Sequence, residues 1–190
     1  ALVNQVSQHL SSILDLDALL DEIVKVLRGN LGYRYMGVWL VDGDECVLQT
    51  IADEGMASLK GYRLKIGVEG VVGWVVAHKQ SRRVSDIAQE TYYHRLPGLP
   101  PMRSEWAVPI LSGDQVLGVL NLESERPNAF DEMDEALMQA VADQVALAMQ
   151  NAHLFEEVKV QRDEAVAVTE TLFELTDRVV SMNRVATALL

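Results

Sequence analysis

Three adjacent side chains, Tyr92, Tyr93 and His94, are where this sequence gathers groups that could do chemistry. Two phenols and an imidazole offer stacking surface with hydrogen-bonding tips, which suits holding a small organic ligand. They stand just ahead of Pro97-Gly98-Leu99-Pro100-Pro101, a run that forces an extended loop. The other reading is an aromatic plug packed on the core with its polar ends in water. Around them lie Arg82, Arg83, Arg95 and Arg103. Their charge could draw an anionic ligand such as a carboxylate or phosphate, or could simply be solvated or paired. Asp86 could hold a ligand's amine or hydroxyl, or cap the turn that follows it. Trp39 shares a strand face with Gly37, which leaves a gap beside the ring, so it is either a pocket floor or core; Trp74, beside Val71 and Val75, reads as core. Trp106 opens a strand at a loop junction and is open to either role. The residues expected to form a ligand site are Trp39, Asp86, Tyr92, Tyr93, His94, Arg103 and Trp106.

Catalysis has less to point to. The chain shows no nucleophile elbow, no His-Glu-x-x-His and no phosphate loop. The Gly67-x-x-Gly70-x-x-Gly73 spacing lacks the lysine and the long helix a phosphate site wants, and reads as turn and close-packing glycines. The expectation is therefore of no enzyme, no catalytic residue, no metal and no resident cofactor.

The elements that must position these residues follow from periodicity. Val3, Val6, Leu10, Ile13, Leu20, Val24 and Leu27 form a helical stripe that should end at Gly29-Asn30, with a break near Asp15. Tyr35 to Val41 and Cys46 to Ala52, joined by Asp42-Gly43, read as a β-hairpin; both faces of its first strand are apolar, so both must be covered. Between Asp53 and Ser104 the chain is irregular, with a short strand around Tyr62 to Ile66, a short helix from Glu69 to His78, a brief strand at Arg83 to Ser85 and a helical turn at Tyr92 to Leu96. Glu105 to Leu111 and Gln115 to Glu123 make a second hairpin, in which Pro109 demands an edge or a bulge. Asp131 caps the last helix. Terminal helices would then cover one face of an antiparallel sheet and the irregular middle the other, an α+β arrangement.

From Ala129 onward no glycine or proline interrupts the chain. Leu154, Val158, Gln161, Ala165, Val168, Leu172, Leu175, Val179 and Met182 keep a beat of about 3.5 residues, the period of a coiled coil. Earlier in that helix Ala136, Leu137, Ala140, Val141, Val145 and Ala148 give a broader stripe, suited to packing on a sheet. The expectation is a homodimer through the terminal helices, with Val3, Val6, Leu10, Ile13, Leu154, Val158, Val168, Leu172, Leu175, Val179 and Met182 at the interface.

Over 190 residues, 49% hydrophobic and 23% charged, one full domain plus extra helix is expected. A balance of 16 basic against 28 acidic residues gives −12, which opposes nucleic acid and anionic lipid alike as partners. No apolar run approaches a membrane span, and a lone cysteine, Cys46, calls for no oxidising compartment, so a cytoplasmic setting is expected. The start at Ala1 and the stop inside the heptads suggest a fragment.

Gly70-Val71-Val72-Gly73-Trp74-Val75, Val84-Ser85-Asp86-Ile87, Ser104-Glu105-Trp106-Ala107-Val108-Pro109-Ile110, Val116-Leu117-Gly118-Val119-Leu120-Asn121-Leu122-Glu123-Ser124, and Phe130 with Asp134 resemble, in order, the landmarks of a GAF domain. The resemblance covers about residues 15 to 152. It implies a central antiparallel sheet with a small-molecule pocket on the irregular face, and a helical bundle on the other that dimerises and leads to an output domain. Residues 1–14 would be a linker helix and residues 153–190 a signalling helix. Cyclic-nucleotide members resemble one another in an Asn-Lys, Phe, Asp-Glu signature; Asn121, Phe130, Asp134 and Glu135 match, but Leu122 replaces the lysine. Bilin-binding members need a cysteine in the middle segment, which residues 54–104 lack, and the methionine sulfoxide reductase members need more than one cysteine. A haem-binding member would use His78 or His94 as axial ligand. The implied function is a sensory or regulatory binding module, with a ligand-free dimerisation spacer as the alternative. Asn183 to Leu189 echoes Asn4 to Leu10, so the partner beyond the last helix is either an output domain or a second domain of this kind.

Overall fold

The structure is a computed structural model that describes residues 16–31, 33–52 and 54–188. In chain order it contains helix α1 (Leu16–Leu31), strands β1 (Tyr35–Asp42), β2 (Glu45–Ile51) and β3 (Arg63–Lys65), helix α2 (Gly70–His78), strands β4 (Arg82–Val84), β5 (Ser104–Ser112) and β6 (Gln115–Ser124), and helix α3 (Glu132–Ala188). The strands form one six-stranded antiparallel sheet in the order β3-β2-β1-β6-β5-β4. By contact density the chain divides into a unit ending at Ala152 and a second from His153 to Leu190.

Strand β1 shows why the sheet is covered twice. Its even positions Met36 and Val38 enter a core with Leu19, Leu20, Ile23 and Leu27 of α1, Met138, Val141 and Val145 of α3, and Val108, Ile110, Leu120 and Leu122 of the second hairpin. Its odd positions Tyr35 and Trp39 enter a separate core with Val71, Val72 and Val75 of α2 and with Leu96, Leu99 and Met102 of the proline-rich loop. The period of two in the strand thus sorts side chains between a helix side and a loop side. Leu19, Leu20, Ile23 and Leu27 repeat at helical spacing and are fully buried, which anchors α1 through the hydrophobic effect. The helix runs to Leu31, past the Gly29-Asn30 stop expected of it; Val3, Val6, Leu10 and Ile13, expected on the same stripe, lie outside the described residues.

Proline is tolerated in β5 because β4 pairs it only from Glu105 to Ala107, so Pro109 has no strand on that flank. A one-residue bulge between Ile110 and Leu111 follows directly. The start of α3 is a reciprocal cap: the Asp134 N–H donates to Asp131 Oδ1 at 3.0 Å and the Asp131 N–H donates to Asp134 Oδ2 at 2.9 Å. Tyr92 to Leu96 is not the helical turn expected. A 3-10 turn forms earlier, at Ile87–Gln89, and the Tyr92 N–H goes to the Glu90 carboxylate at 2.9 Å instead of to a helical carbonyl. Gly67 and Gly70 take left-handed backbone, φ +75° and +71°, and a Cβ on Gly73 would lie 2.6 Å from the Lys65 carbonyl oxygen. The three glycines are turn and close-packing residues.

Helix α2 ends on Lys79 at φ 56° and ψ 30°, with the Lys79 N–H donating to the Val75 carbonyl. A β-carbon there is strained, so Lys79→Gly is expected to raise stability by about 0.5–1 kcal/mol, or roughly 1–3 °C in a thermal melt. A fall would show that the Lys79 Nζ bond to the Asp114 carbonyl, 2.6 Å, outweighs the backbone relief.

Along the second unit, Leu154, Val158, Val168, Leu172 and Leu175 are all more than half exposed, as are Val160 and Phe173 off the seven-residue beat. The side chains of Val179 and Met182 lie outside the described part of the structure.

Candidate functional site

Cross-strand register puts an unusual row of side chains on the loop side of the sheet. Tyr35, Glu123 and Glu105 stand opposite one another on β1, β6 and β5; the next row is Gly37, Asn121 and Ala107, and the next Trp39, Val119 and Pro109. Glu105 is 4% exposed, Glu123 7% and Asn121 5%. Two carboxylates directly opposed and both buried are costly unless a proton or a cation compensates them.

No ion pair reaches either one among the described residues. Burial pushes the Glu105 carboxyl well above the usual range, the Glu123 and Glu90 charges push it further, and a hydrogen bond from Asn121 pulls it back. Burial raises Glu123 to about 7, against a hydrogen bond from the Tyr93 hydroxyl. That hydroxyl lies 3.5 Å from Glu123 Oε2, at the outer limit of such a bond, and its own pKa is raised by burial and by the two glutamates. The pair therefore titrates together and holds a proton near neutral pH.

Over this row sits a cavity of about 10 Å³, the size of one water molecule, between the sheet and the proline-rich loop. Trp39, Gly37 and Tyr35 give it an aromatic floor, Leu96 and Leu99 a roof, and Asn121 and Glu123 a polar wall. The Asn121 Oδ1 oxygen is buried with no hydrogen-bond partner among the described residues.

The expected site residues fall into separate groups. Trp39, 1% exposed, lies in the cavity wall beside Gly37. Tyr93 reaches Glu123, while His94 Nε2 and the Tyr62 hydroxyl share a hydrogen bond at 2.9 Å and do not line the cavity. Tyr92 is turned outward onto Arg82, 5.5 Å from its guanidinium carbon. Trp106 is not on this side at all: strand alternation sends it to the helix side, where it meets Phe130 at 5.9 Å. Asp86 caps Ala88 N–H at 3.1 Å and accepts from Arg103 at 3.0 Å, an exposed pair at the end of β5 that holds the Asp86 carboxyl below its usual range. Arg82 grips Glu90 through paired bonds of 2.8 and 2.9 Å and stacks on Trp74 at 4.4 Å; Arg83 faces Glu135, and Arg95 donates to the Leu99 carbonyl. Arg82, Arg83 and Arg103 are engaged away from the cavity and Arg95 is tied to the carbonyl of Leu99 in its roof, so none lines it and its polarity is the reverse of the anion site they suggested.

His78 is exposed, stacked on Trp74 at 4.1 Å with its Nδ1 donating to the Trp74 carbonyl. Cys46 is fully buried, and burial raises its thiol pKa to about 12. No three His, Cys, Asp or Glu side chains gather as metal ligands among the described residues. Sequence reasoning missed Glu105, Glu123 and Glu90; the available signal was an acidic residue on a strand face that had to be covered.

A model of the GAF domain matches residues 13–150, and the chain belongs to that family. Among solved structures it is similar to the GAF domain of a phosphoenolpyruvate-protein phosphotransferase from Coxiella burnetii, with 23% identity over 82% of this chain and 95% of that one and a TM-score of 0.73. It is also similar to a free methionine-R-sulfoxide reductase from Neisseria meningitidis in complex with its substrate, with 26% identity over 80% of this chain and 89% of that one and a TM-score of 0.70. The GAF domain of A. aeolicus nlh2 in an inactive state matches at 18% identity over 78% and 93%, with a TM-score of 0.66.

The reductase corrects the expectation of no enzyme. This fold can be enzymatic, and the want of a familiar catalytic motif does not argue otherwise, because a loop-covered sheet can supply reacting groups from strands and loops at no fixed spacing. No helix among the described residues is long and apolar enough to cross a membrane.

Proposed function

We propose that this GAF domain is a sensory or regulatory module, set in the cytoplasm, that binds a small molecule in the loop-side cavity. Its second unit pairs with a second copy and passes the ligand state to an attached output domain or a second GAF domain. The observation that carries the reading is the buried polar wall of Asn121 and Glu123, backed by the buried Glu105 opposite Glu123, facing an aromatic floor, an arrangement that costs stability and that packing alone does not require. The row of exposed Leu154, Val158, Val168, Leu172 and Leu175 supports the pairing, since five apolar side chains on one helix need cover. Ligand would bias the helices only through differential affinity for two arrangements of the bundle.

Native mass spectrometry of freshly purified protein, with a thermal-shift screen of nucleotides, amino acids, organic acids, amines and tetrapyrroles, tests the binding. Sedimentation at tens of micromolar tests the pairing. A retained or stabilising small molecule and a dimer are expected; a monomer would overturn the signalling arrangement. A second reading, a ligand-free dimerisation spacer, draws on the small size of the cavity, about 10 Å³. It predicts a dimer that no compound in the screen stabilises.

A further inference from the structure

We propose that the loop-side cavity takes a small organic cation, its ammonium group seated against the Asn121 Oδ1 oxygen and the Glu123 carboxylate, with the Glu105 carboxylate behind Glu123 on the neighbouring strand. The inference rests on the ligand-binding reading above and adds the chemical class of the ligand.

The first ground is the inventory of the polar wall. Asn121 shares a hydrogen bond with Glu105, and its Oδ1 is buried with no hydrogen-bond donor among the described residues. Glu123 lines the same cavity and, among the described residues, receives the long Tyr93 contact alone. Acceptor oxygens outnumber donors, so the complementary group is one rich in N–H donors. A buried carbonyl without a donor is costly to leave so, and a ligand that supplies the donor recovers that cost.

Charge is the second. The groups facing the pair are Glu90 from the loop, whose charge Arg82 already neutralises, the Tyr93 hydroxyl, and Arg95, which lies beside Tyr93 and donates to the Leu99 carbonyl. Arg34 lies over the Tyr35 ring at 5.2 Å, and the Tyr35 hydroxyl donates to Glu125 at 3.0 Å, away from the pair. Nothing in this set gives Glu105 and Glu123 a cation of their own. A carboxylate or phosphate ligand would add negative charge beside a pair that already bears it, whereas an ammonium replaces the proton the pair shares. The cavity admits one nitrogen-sized group as it stands, so a longer ligand parts Leu96 and Leu99 to enter.

Cation binding therefore expels a proton. In calorimetry of the whole chain at pH 8, methylammonium, ethanolamine and agmatine should bind, while ethylene glycol and glycolate, the neutral and anionic matches of ethanolamine, should not. Apparent affinity should fall at least tenfold between pH 8 and pH 6, and the apparent enthalpy should differ between buffers of different ionisation enthalpy. Glu123→Gln and Glu105→Gln, which keep shape and remove charge, should each weaken amine binding at least tenfold without unfolding the protein. Equal or stronger binding of glycolate or ethylene glycol would overturn the cation class while leaving a ligand site in place. Unchanged amine affinity in both glutamine variants would also overturn it. Failure of amines, alcohols, acids and nucleotides alike would overturn the ligand-binding reading together with this one.

Discussion

Gly118→Ala is expected to destabilise the domain by about 3–5 kcal/mol, a fall of roughly 10 °C or more in melting temperature. Gly118 sits near the middle of β6, opposite Leu40 on β1 and Ile110 on β5. A β-carbon added there would lie 2.2 Å from the Trp39 carbonyl oxygen and 3.2 Å from Leu40 Cδ2. The first of those atoms is backbone, which no rotamer change can move aside. The β1–β6 ladder would have to part, and it joins the two hairpins at the centre of the sheet, between both cores. Gly29→Ala is the control: nothing lies within 4 Å of its added carbon, and it stands in α1, where alanine is the better helix former. It should be neutral or stabilising. Urea unfolding of the two variants checks the pair, and a Gly118→Ala protein as stable as the parent would mean that the two central strands are not held this closely.

The sheet and its double cover were legible because local signals agreed with one another. Tyr35 to Val41 is apolar at both parities, Asp42-Gly43 and Ser112-Gly113-Asp114 mark turns, and Asp131 with Asp134 marks a helix start; each signal needs only neighbours in sequence. The segment at Tyr92 to Leu96 misled because the Glu90 carboxylate takes a backbone N–H that a helical turn would have used, and Pro97 disfavours helical backbone just before it.

The site was less legible, and β-register is the reason. A hairpin counted back from the Ser112–Gln115 turn would set Glu105 against Leu122. The bulge between Ile110 and Leu111 shifts the pairing by one, setting Glu105 against Glu123 and Trp106 against Leu122 on the helix side. A one-residue slip exchanges the faces of a strand, so the pairing that builds the buried acid row also removes Trp106 from the ligand site expected for it. No local pattern announces that bulge except Pro109 two residues before it. The arginines misled for a different reason: their charge is visible in the sequence, but Glu90, Glu135, the Leu99 carbonyl and Asp86, which engage them, come from other parts of the fold.

Glu123→Gln is expected to stabilise the protein above neutral pH and to flatten its pH dependence. In the folded chain the Glu123 carboxyl is raised from 4.5 to about 7 by burial, so the native state binds a proton more tightly than the unfolded chain does. A group raised in this way contributes stability that is present in full below its unfolded pKa and is lost as pH rises through the folded value. The parent should therefore weaken between about pH 5 and pH 8, by something of the order of 2–3 kcal/mol from this pair. Glutamine keeps the shape and can still accept from the Tyr93 hydroxyl, but has no charge to desolvate. Urea midpoints for both proteins at pH 5 and pH 8 isolate the pair from the other titrating groups, because those groups are shared. The variant should match the parent at pH 5 and exceed it at pH 8; equal slopes would mean that Glu105 and Glu123 are compensated in the folded state. The cost at pH 8 is also what a bound cation would relieve, so ethanolamine should restore the parent toward the variant and leave the variant unmoved.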